Sequence, residues 1–366
     1  MELVELAKKL ISFPSVTPDE AGCLDYIQNL LADAGFYVER LKFGEVDNLY
    51  AKIGEGKNFC FAGHIDVVPP GDEARWTNPP FEPVVKNGVL YGRGASDMKA
   101  AIAAMLAAAM EYKDKGCVSF LLTSDEEGPG VDGTKRVLEE LAGRGEKIDA
   151  CIVGEPTNPE KLGQMAKTGR RGSMNCTITV QGKQGHAAYP HNADNPVKKL
   201  IDILYKLQNH VLDSGSKAFD PSNLEVVTVD VGNKASNVIP AQARAVLNIR
   251  FNDHYKSPQL KSWIEGVIGE DKKVTLEYHV SGESFLTKIG KLSDIVADVV
   301  KEVTGIKPEF STTGGTSDAR FIHEYAEVIE FGLINKSAHQ VDENCLVDEL
   351  EKLKVIYLKI LQKFFQ

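Results

Sequence analysis

The chain has 366 residues, 43% of them hydrophobic and 26% charged, and carries a formal net charge of −10. This length exceeds one typical core and points to two domains of an ordinary soluble globular protein. The acidic balance, with no block of Lys or Arg, argues against nucleic acid and anionic membranes as partners, so an anionic small molecule would need a local cationic pocket.

Residues 1–12 and about 20–34 have helical periodicity, and 36–41 and 48–53 read as strands. The amphipathic start does not resemble a signal peptide, and no run of 18 apolar residues follows. Six cysteines (Cys23, Cys60, Cys117, Cys151, Cys176 and Cys345) are scattered without paired spacing. They are expected to be buried thiols of a reducing compartment, which makes the cytoplasm the expected location.

Residues 59–64 form a short apolar run that reaches Gly63 and hands His64 and Asp66 to the carboxyl edge of a sheet, pointing to the same side. A His with an Asp two positions on suits a metal ligand whose second ring nitrogen is held by a carboxylate, although an ordinary loop pair looks the same in isolation. The proline-rich stretch 69–83 is expected to wall a cleft. Asp97 precedes an alanine-rich helix over 98–112; a carboxylate there suits the helix dipole as well as a metal, so cap and ligand both stand. The strand 118–123 runs into Ser124-Asp125-Glu126-Glu127-Gly128, where adjacent carboxylates diverge. One can bind metal while the other faces bound water. The strand 150–153 ends similarly in Gly154-Glu155-Pro156-Thr157. Strand–loop–helix alternation over 48–155 argues for an α/β sheet with helices on both faces.

The pattern changes near residue 172. Residues 174–180 alternate with period two; a helix is expected over 196–212, strands over 224–231 and 241–251, a helix over 258–268 and a strand over 273–280. Strand–helix–strand–strand–helix–strand is the order of a ferredoxin-like α+β unit. The expected division is 1–172, an insertion over 173–285, and a return to the first domain over 286–366. That closing segment has a helix over 289–303, a strand over 328–332 and an amphipathic helix over 347–365.

His64, Asp97, Glu127, Glu155 and His339 supply two imidazoles and three carboxylates, enough for two divalent ions if one carboxylate bridges. The mixed nitrogen and oxygen set suits zinc, with cobalt or manganese as substitutes. Two such ions would lower the pKa of a bridging water and polarise an amide carbonyl, and Glu126 would carry the proton to the leaving amine.

At these residues the chain resembles the co-catalytic zinc aminoacylase and carboxypeptidase family along nearly its whole length. The motifs are Gly63-His64-Ile65-Asp66-Val67-Val68-Pro69-Pro70-Gly71-Asp72, Gly92-Arg93-Gly94-Ala95-Ser96-Asp97-Met98-Lys99, Thr123-Ser124-Asp125-Glu126-Glu127 and Val153-Gly154-Glu155-Pro156. Three more point to the desuccinylase branch: Gly169-Arg170-Arg171-Gly172-Ser173, Gln184-Gly185-His186-Ala187-Ala188-Tyr189-Pro190-His191 and Thr313-Gly314-Gly315-Thr316-Ser317-Asp318.

The resemblance implies a mixed-sheet, three-layer α/β catalytic domain of zinc-peptidase type with an inserted ferredoxin-like dimerisation domain. It implies that Asp97 bridges two Zn2+ ions, that His64 and Glu155 complete one position, and that Glu127 and His339 complete the other. Asp66 would partner His64, Glu126 would be the general base, and a cis peptide would follow Asp97. His186 would cross a homodimer to stabilise the oxyanion. The implied reaction converts N-succinyl-LL-2,6-diaminopimelate and water to succinate and LL-2,6-diaminopimelate, a step in lysine biosynthesis. Arg170 and Arg250 would pair the substrate's carboxylates, with Asn237, Gly315 and Thr316 as hydrogen-bond donors. The alternatives are a related deacylase or carboxypeptidase acting on another N-acyl amino acid, such as acetylornithine, and a non-catalytic metal-binding protein.

Overall fold

A computed structural model of the chain describes residues 2–112 and 114–366. These form two compact units, one through Gly169 with Thr287–Ser311 and Ser317–Gln366, the other Arg170–Leu286 with Thr312–Thr316.

The first unit is built on an eight-stranded mixed sheet. From edge to edge it runs through Tyr37–Phe43, Val46–Ile53, Cys117–Thr123, Asn58–His64, Ala150–Val153, Glu327–Glu330, Met165–Lys167 and Glu309–Ser311. Asn58–His64 is parallel to Cys117–Thr123 and to Ala150–Val153, which is in turn parallel to Glu327–Glu330. Central strands sandwiched by helices are buried on both faces, which is why Asn58–His64 and Cys117–Thr123 are buried throughout and read as unbroken runs.

The alanine-rich helix Lys99–Glu111 shows the same logic in helical form. It packs against Leu3–Ile11 and Val347–Phe364, and its small side chains let neighbouring elements approach on every side. Val118, Phe120 and Leu122 join that core from one face of their strand. The helix Thr134–Gly143, which buries Val137, Leu138 and Leu141, packs against the opposite face. Among the described residues, no helix is long and apolar enough to cross a membrane.

The second unit has a four-stranded antiparallel sheet in the order Asn223–Asp230, Gln242–Phe251, Gly172–Gln181, Val274–Gly282. Helices Pro196–Gln208 and Ser257–Ile268 pack on one face, burying Leu200, Leu207, Leu260 and Ile264 against Cys176, Ile178, Ala245 and Leu247. In chain order the strands lie fourth, first, third, second reading from Val274–Gly282, the arrangement of a ferredoxin-like unit. Thr312–Thr316 groups with this unit, although its place in the sequence puts it in the closing segment. Hydrogen bonds hold it there: Thr312 Oγ1 donates to Ala218 O at 2.6 Å, and Arg170 Nη1 donates to Thr313 O at 3.2 Å.

Candidate active site

The parallel strands of the first unit end together, and the residues just beyond their carboxyl ends meet in one place, as expected where ligands bind open α/β sheets. His64 closes Asn58–His64, Glu126 and Glu127 follow Cys117–Thr123, and Glu155 lies two residues past Ala150–Val153. Asp97 arrives from the turn before Lys99–Glu111. That helix is capped by Met98, with no side-chain cap hydrogen bond among the described residues, so Asp97 is not its cap. The Asp97–Met98 peptide is cis, as the resemblance implied.

Two glycines explain why this turn can lie so close to the strand ends. A Cβ on Gly63 would fall 2.2 Å from Met98 Cε, and one on Gly154 would fall 2.7 Å from the same atom. Each glycine immediately precedes an acid or imidazole of the site, so leaving out its side chain lets Met98 settle against both strand ends.

Asp97 sits between the two histidines. Its Oδ1 lies 3.2 Å from His64 Nε2 and its Oδ2 lies 3.3 Å from His339 Nε2. His64 Nε2 is also 3.6 Å from Glu155 Oε1, and His339 Nε2 is 2.8 Å from Glu127 Oε1. Donor atoms of His64, Asp97 and Glu127 lie within 4.8 Å of one another, as do those of His64, Glu126 and Glu155.

Asp66 takes a different partner from the one its spacing suggested. His64 Nδ1 meets the backbone oxygen of Asp66 at 2.9 Å, whereas the Asp66 carboxylate is 3.7 Å away. That carboxylate accepts instead from the backbone N–H of Glu126 at 3.2 Å and of Glu127 at 3.0 Å. The Asp66 carbonyl, two residues past the strand end, is already close enough for the imidazole, so the side chain serves instead to orient the two acids.

Electrostatics follow from burying so many like charges. Burial pushes the Glu126 carboxyl up to about 8, against the pull of His64 and with added repulsion from Asp318 and Glu127. Burial, then the charges of Asp97 and Glu126, raise Glu155 well above the ordinary carboxyl range. Asp97 is held low despite its burial, because His339 and His64 both hydrogen-bond to it. Hydrogen bonds to Asp97 and Glu127 raise His339 to about 10, and His64 is raised well above its usual value even though burial opposes it.

The donor set fits divalent cations. Two imidazoles and four carboxylates converge, and Glu155 Oε1 is buried without a hydrogen-bond partner among the described residues. A cation would satisfy that oxygen and offset the crowding of negative charge.

The remaining expected site residues belong to the second unit. His186 and Asn237 lie side by side there: His186 pairs with Val238, and Ala187 N donates to Asn237 O at 2.9 Å. Arg170 joins Gly315 and Thr316 through its bond to Thr313 O. Arg250 opposes Ser173 on the sheet, and its Nε donates to Asn248 Oδ1 at 3.0 Å.

Sequence reading did not single out Arg320 or Glu343. The buried guanidinium of Arg320 lies 3.9 Å from Glu126 Oε1. An arginine among the apolar residues of Ala319–Ile322 was the available signal. Glu343, four residues after His339, is fully buried against Arg93, a charged pair that composition cannot locate.

Residues 60–363 match the sequence profile of Peptidase family M20/M25/M40. The chain is 54% identical over 369 residues to a curated succinyl-diaminopimelate desuccinylase of Caulobacter vibrioides, covering 99% of this chain and 96% of that one. It is 52% identical over 376 residues to a protein of the same name from Parvibaculum lavamentivorans, covering 99% and 95%. Among solved structures, the M20 family metallo-carboxypeptidase Sso-CP2 from Sulfolobus solfataricus superposes with a TM-score of 0.84 at 17% identity, covering 100% of this chain and 99% of that one.

Proposed function

The chain belongs to peptidase family M20/M25/M40, and from that premise we propose that it is a metal-dependent amide hydrolase converting N-succinyl-LL-2,6-diaminopimelate and water to succinate and LL-2,6-diaminopimelate. Near-full-length likeness to desuccinylases supports the substrate, which places the reaction in diaminopimelate and lysine biosynthesis. One geometric observation carries the chemistry: Asp97 offers one carboxylate oxygen to each of two imidazoles, and Glu126 stands beside them, within 4.8 Å of donor atoms of His64 and Glu155.

In this reading His64, Asp97 and Glu155 would hold one cation, and Asp97, Glu127 and His339 would hold a second. Zinc is the favoured ion for the nitrogen and oxygen donors, with cobalt or manganese as substitutes. Bound there, divalent ions would supply Lewis acidity that polarises the amide carbonyl and eases deprotonation of water. Glu126 takes the water's proton on its carboxylate and delivers it to the departing amine; its raised affinity for protons suits a group that must both accept and release one near neutrality. Asp66 orients Glu126 and Glu127 through their backbone amides. Arg170 and Arg250 pair with the substrate's carboxylates, and Asn237, Gly315 and Thr316 donate hydrogen bonds to it. The motif around His186 supports a homodimer in which His186 of one copy would donate to the oxyanion in the other. Six buried thiols support a cytoplasmic location.

The test is succinate release by the purified protein after chelation, with and without added zinc, on succinylated diaminopimelate and on N-acetylornithine. Zinc-dependent release from the succinylated compound is expected. Preferential turnover of the acetyl compound would move the assignment to another deacylase, and no hydrolysis of either by the zinc-loaded protein would remove it from the enzymes.

A further inference from the structure

Behind the metal-holding side chains lies a buried charged pair that the proposed mechanism does not use. Glu343 is fully buried, and both its oxygens are occupied. Oε1 accepts from Ser96 N at 2.8 Å and Asp97 N at 2.9 Å; Oε2 accepts from Arg93 Nη1 at 2.7 Å and Gly94 N at 3.1 Å. A carboxylate has about four lone-pair positions, and here each meets a donor. Three of the four donors are backbone amides of the turn that presents Asp97.

Glu343 also ends the loop that presents His339. His339 and Asp342 both adopt the left-handed backbone region, with φ of 62° and 58°, which residues with a Cβ rarely adopt unless held there. The loop is pinned on both sides of His339: Ser96 Oγ donates to Ile334 O at 2.6 Å, and Gly92 N donates to Glu343 O at 2.9 Å. Arg93 extends the clamp, donating to Gln340 O at 3.3 Å and stacking on the Trp76 ring at 5.2 Å.

We propose that Glu343 is a positioning residue that locks the Asp97 turn to the His339 loop, so that these two ligands, 242 positions apart in sequence, reach the same cation. The inference rests on the metal reading given under the proposed function. Glu343→Gln retains the size of the side chain but can accept at only one oxygen, leaving an NH2 group facing two donors. The turn and the loop then lose the carboxylate that joins them and keep only the weaker hold of the Ser96–Ile334 and Gly92–Glu343 main-chain oxygen bonds and the Arg93–Gln340 contact.

The experiment is zinc titration of chelated protein by calorimetry, together with the visible absorption of the cobalt-loaded form, which reports ligand geometry. Three variants are compared with the parent: Glu343→Gln, Arg93→Lys, and Leu353→Ala as a destabilised control whose side chain lies in the helix Val347–Phe364. Folded Glu343→Gln is expected to bind zinc about ten- to a hundredfold more weakly and to give an altered cobalt spectrum. Arg93→Lys, which leaves the three backbone donors in place, is expected to show a smaller loss. Leu353→Ala should melt earlier yet retain the parent's affinity. Parental affinity and spectrum in folded Glu343→Gln would overturn the proposal, as would an equal loss in Leu353→Ala. Should Glu343→Gln fail to fold, parental affinity in Arg93→Lys overturns it instead. A parent that takes up no divalent ion defeats the metal reading itself, and this inference falls with it.

Discussion

At the scale of single residues, the candidate site works by giving like groups different surroundings. Glu126 and Glu127 are neighbours in sequence, yet Glu127 lies 2.8 Å from the His339 ring, while Glu126 has donor atoms of His64 and Glu155 within 4.8 Å and the Arg320 guanidinium 3.9 Å away. Glu126→Gln is therefore expected to lower kcat by about 10²- to 10⁴-fold while leaving zinc content and KM near those of the parent. Full activity in that variant would remove Glu126 from the role of general base. Protons also matter here. His339 holds its proton up to about 10 in the metal-free protein, above its ordinary 6.5, and a ligand imidazole must be neutral. Zinc uptake below pH 10 should thus release protons and tighten as pH rises, which calorimetry in buffers of different ionisation enthalpy measures directly. The sign for stability is the reverse: a raised histidine stabilises the metal-free fold fully below 6.5 and progressively less above it. Glu126, raised to about 8, acts in the same direction, while the buried Lys99, lowered to about 8 by burial, begins to oppose them only above that pH. Between pH 6.5 and 8 the melting temperature of chelated protein should therefore fall; a rise would contradict the assignment of these charges.

At the scale of elements, the site depends on how closely the turn before Lys99–Glu111 can approach two strand ends. Gly63 and Gly154 permit that approach, since a Cβ on either would enter the space of the buried Met98 thioether. Gly63→Ala is expected to cost about 1–3 kcal/mol, the usual range for overpacking a close-fitted core, as read from urea unfolding. Because the clash is with Met98, that cost should shrink in a Met98→Ala background. Additive costs would mean that the glycine serves some other purpose. The helix itself tolerates neighbours on all sides because alanine occupies most of its length. This is also why its sequence shows helix propensity clearly but no single buried face.

For the whole molecule, the two units carry separate cores, and every proposed metal ligand lies in the first. Zinc at about a hundred times its dissociation constant should add about 2.7 kcal/mol to the stability of whatever structure binds it. Hydrogen exchange should therefore show zinc protecting the amides around 94–97, 124–127 and 334–343 more than those of Gly172–Gln181 and Gln242–Phe251. Equal protection in both units would count against a site confined to the first. Much of this organisation was readable along the chain. Unbroken apolar runs marked the central strands, and the switch to period two near residue 172 marked the second sheet. The acids and histidines stood at element ends, because hydrophobic periodicity and turn chemistry are local properties. Other features required the tertiary structure. That Asp97 lies between His64 and His339, which atom of Asp66 meets His64, that Thr312–Thr316 groups with the second unit, and that Glu343 grips the turn 246 positions before it were all decided by contacts absent from any local pattern. A sequence displays which side chains can bind a cation or a proton. Only folding, by closing long loops and excluding water from between them, selects which of those groups meet.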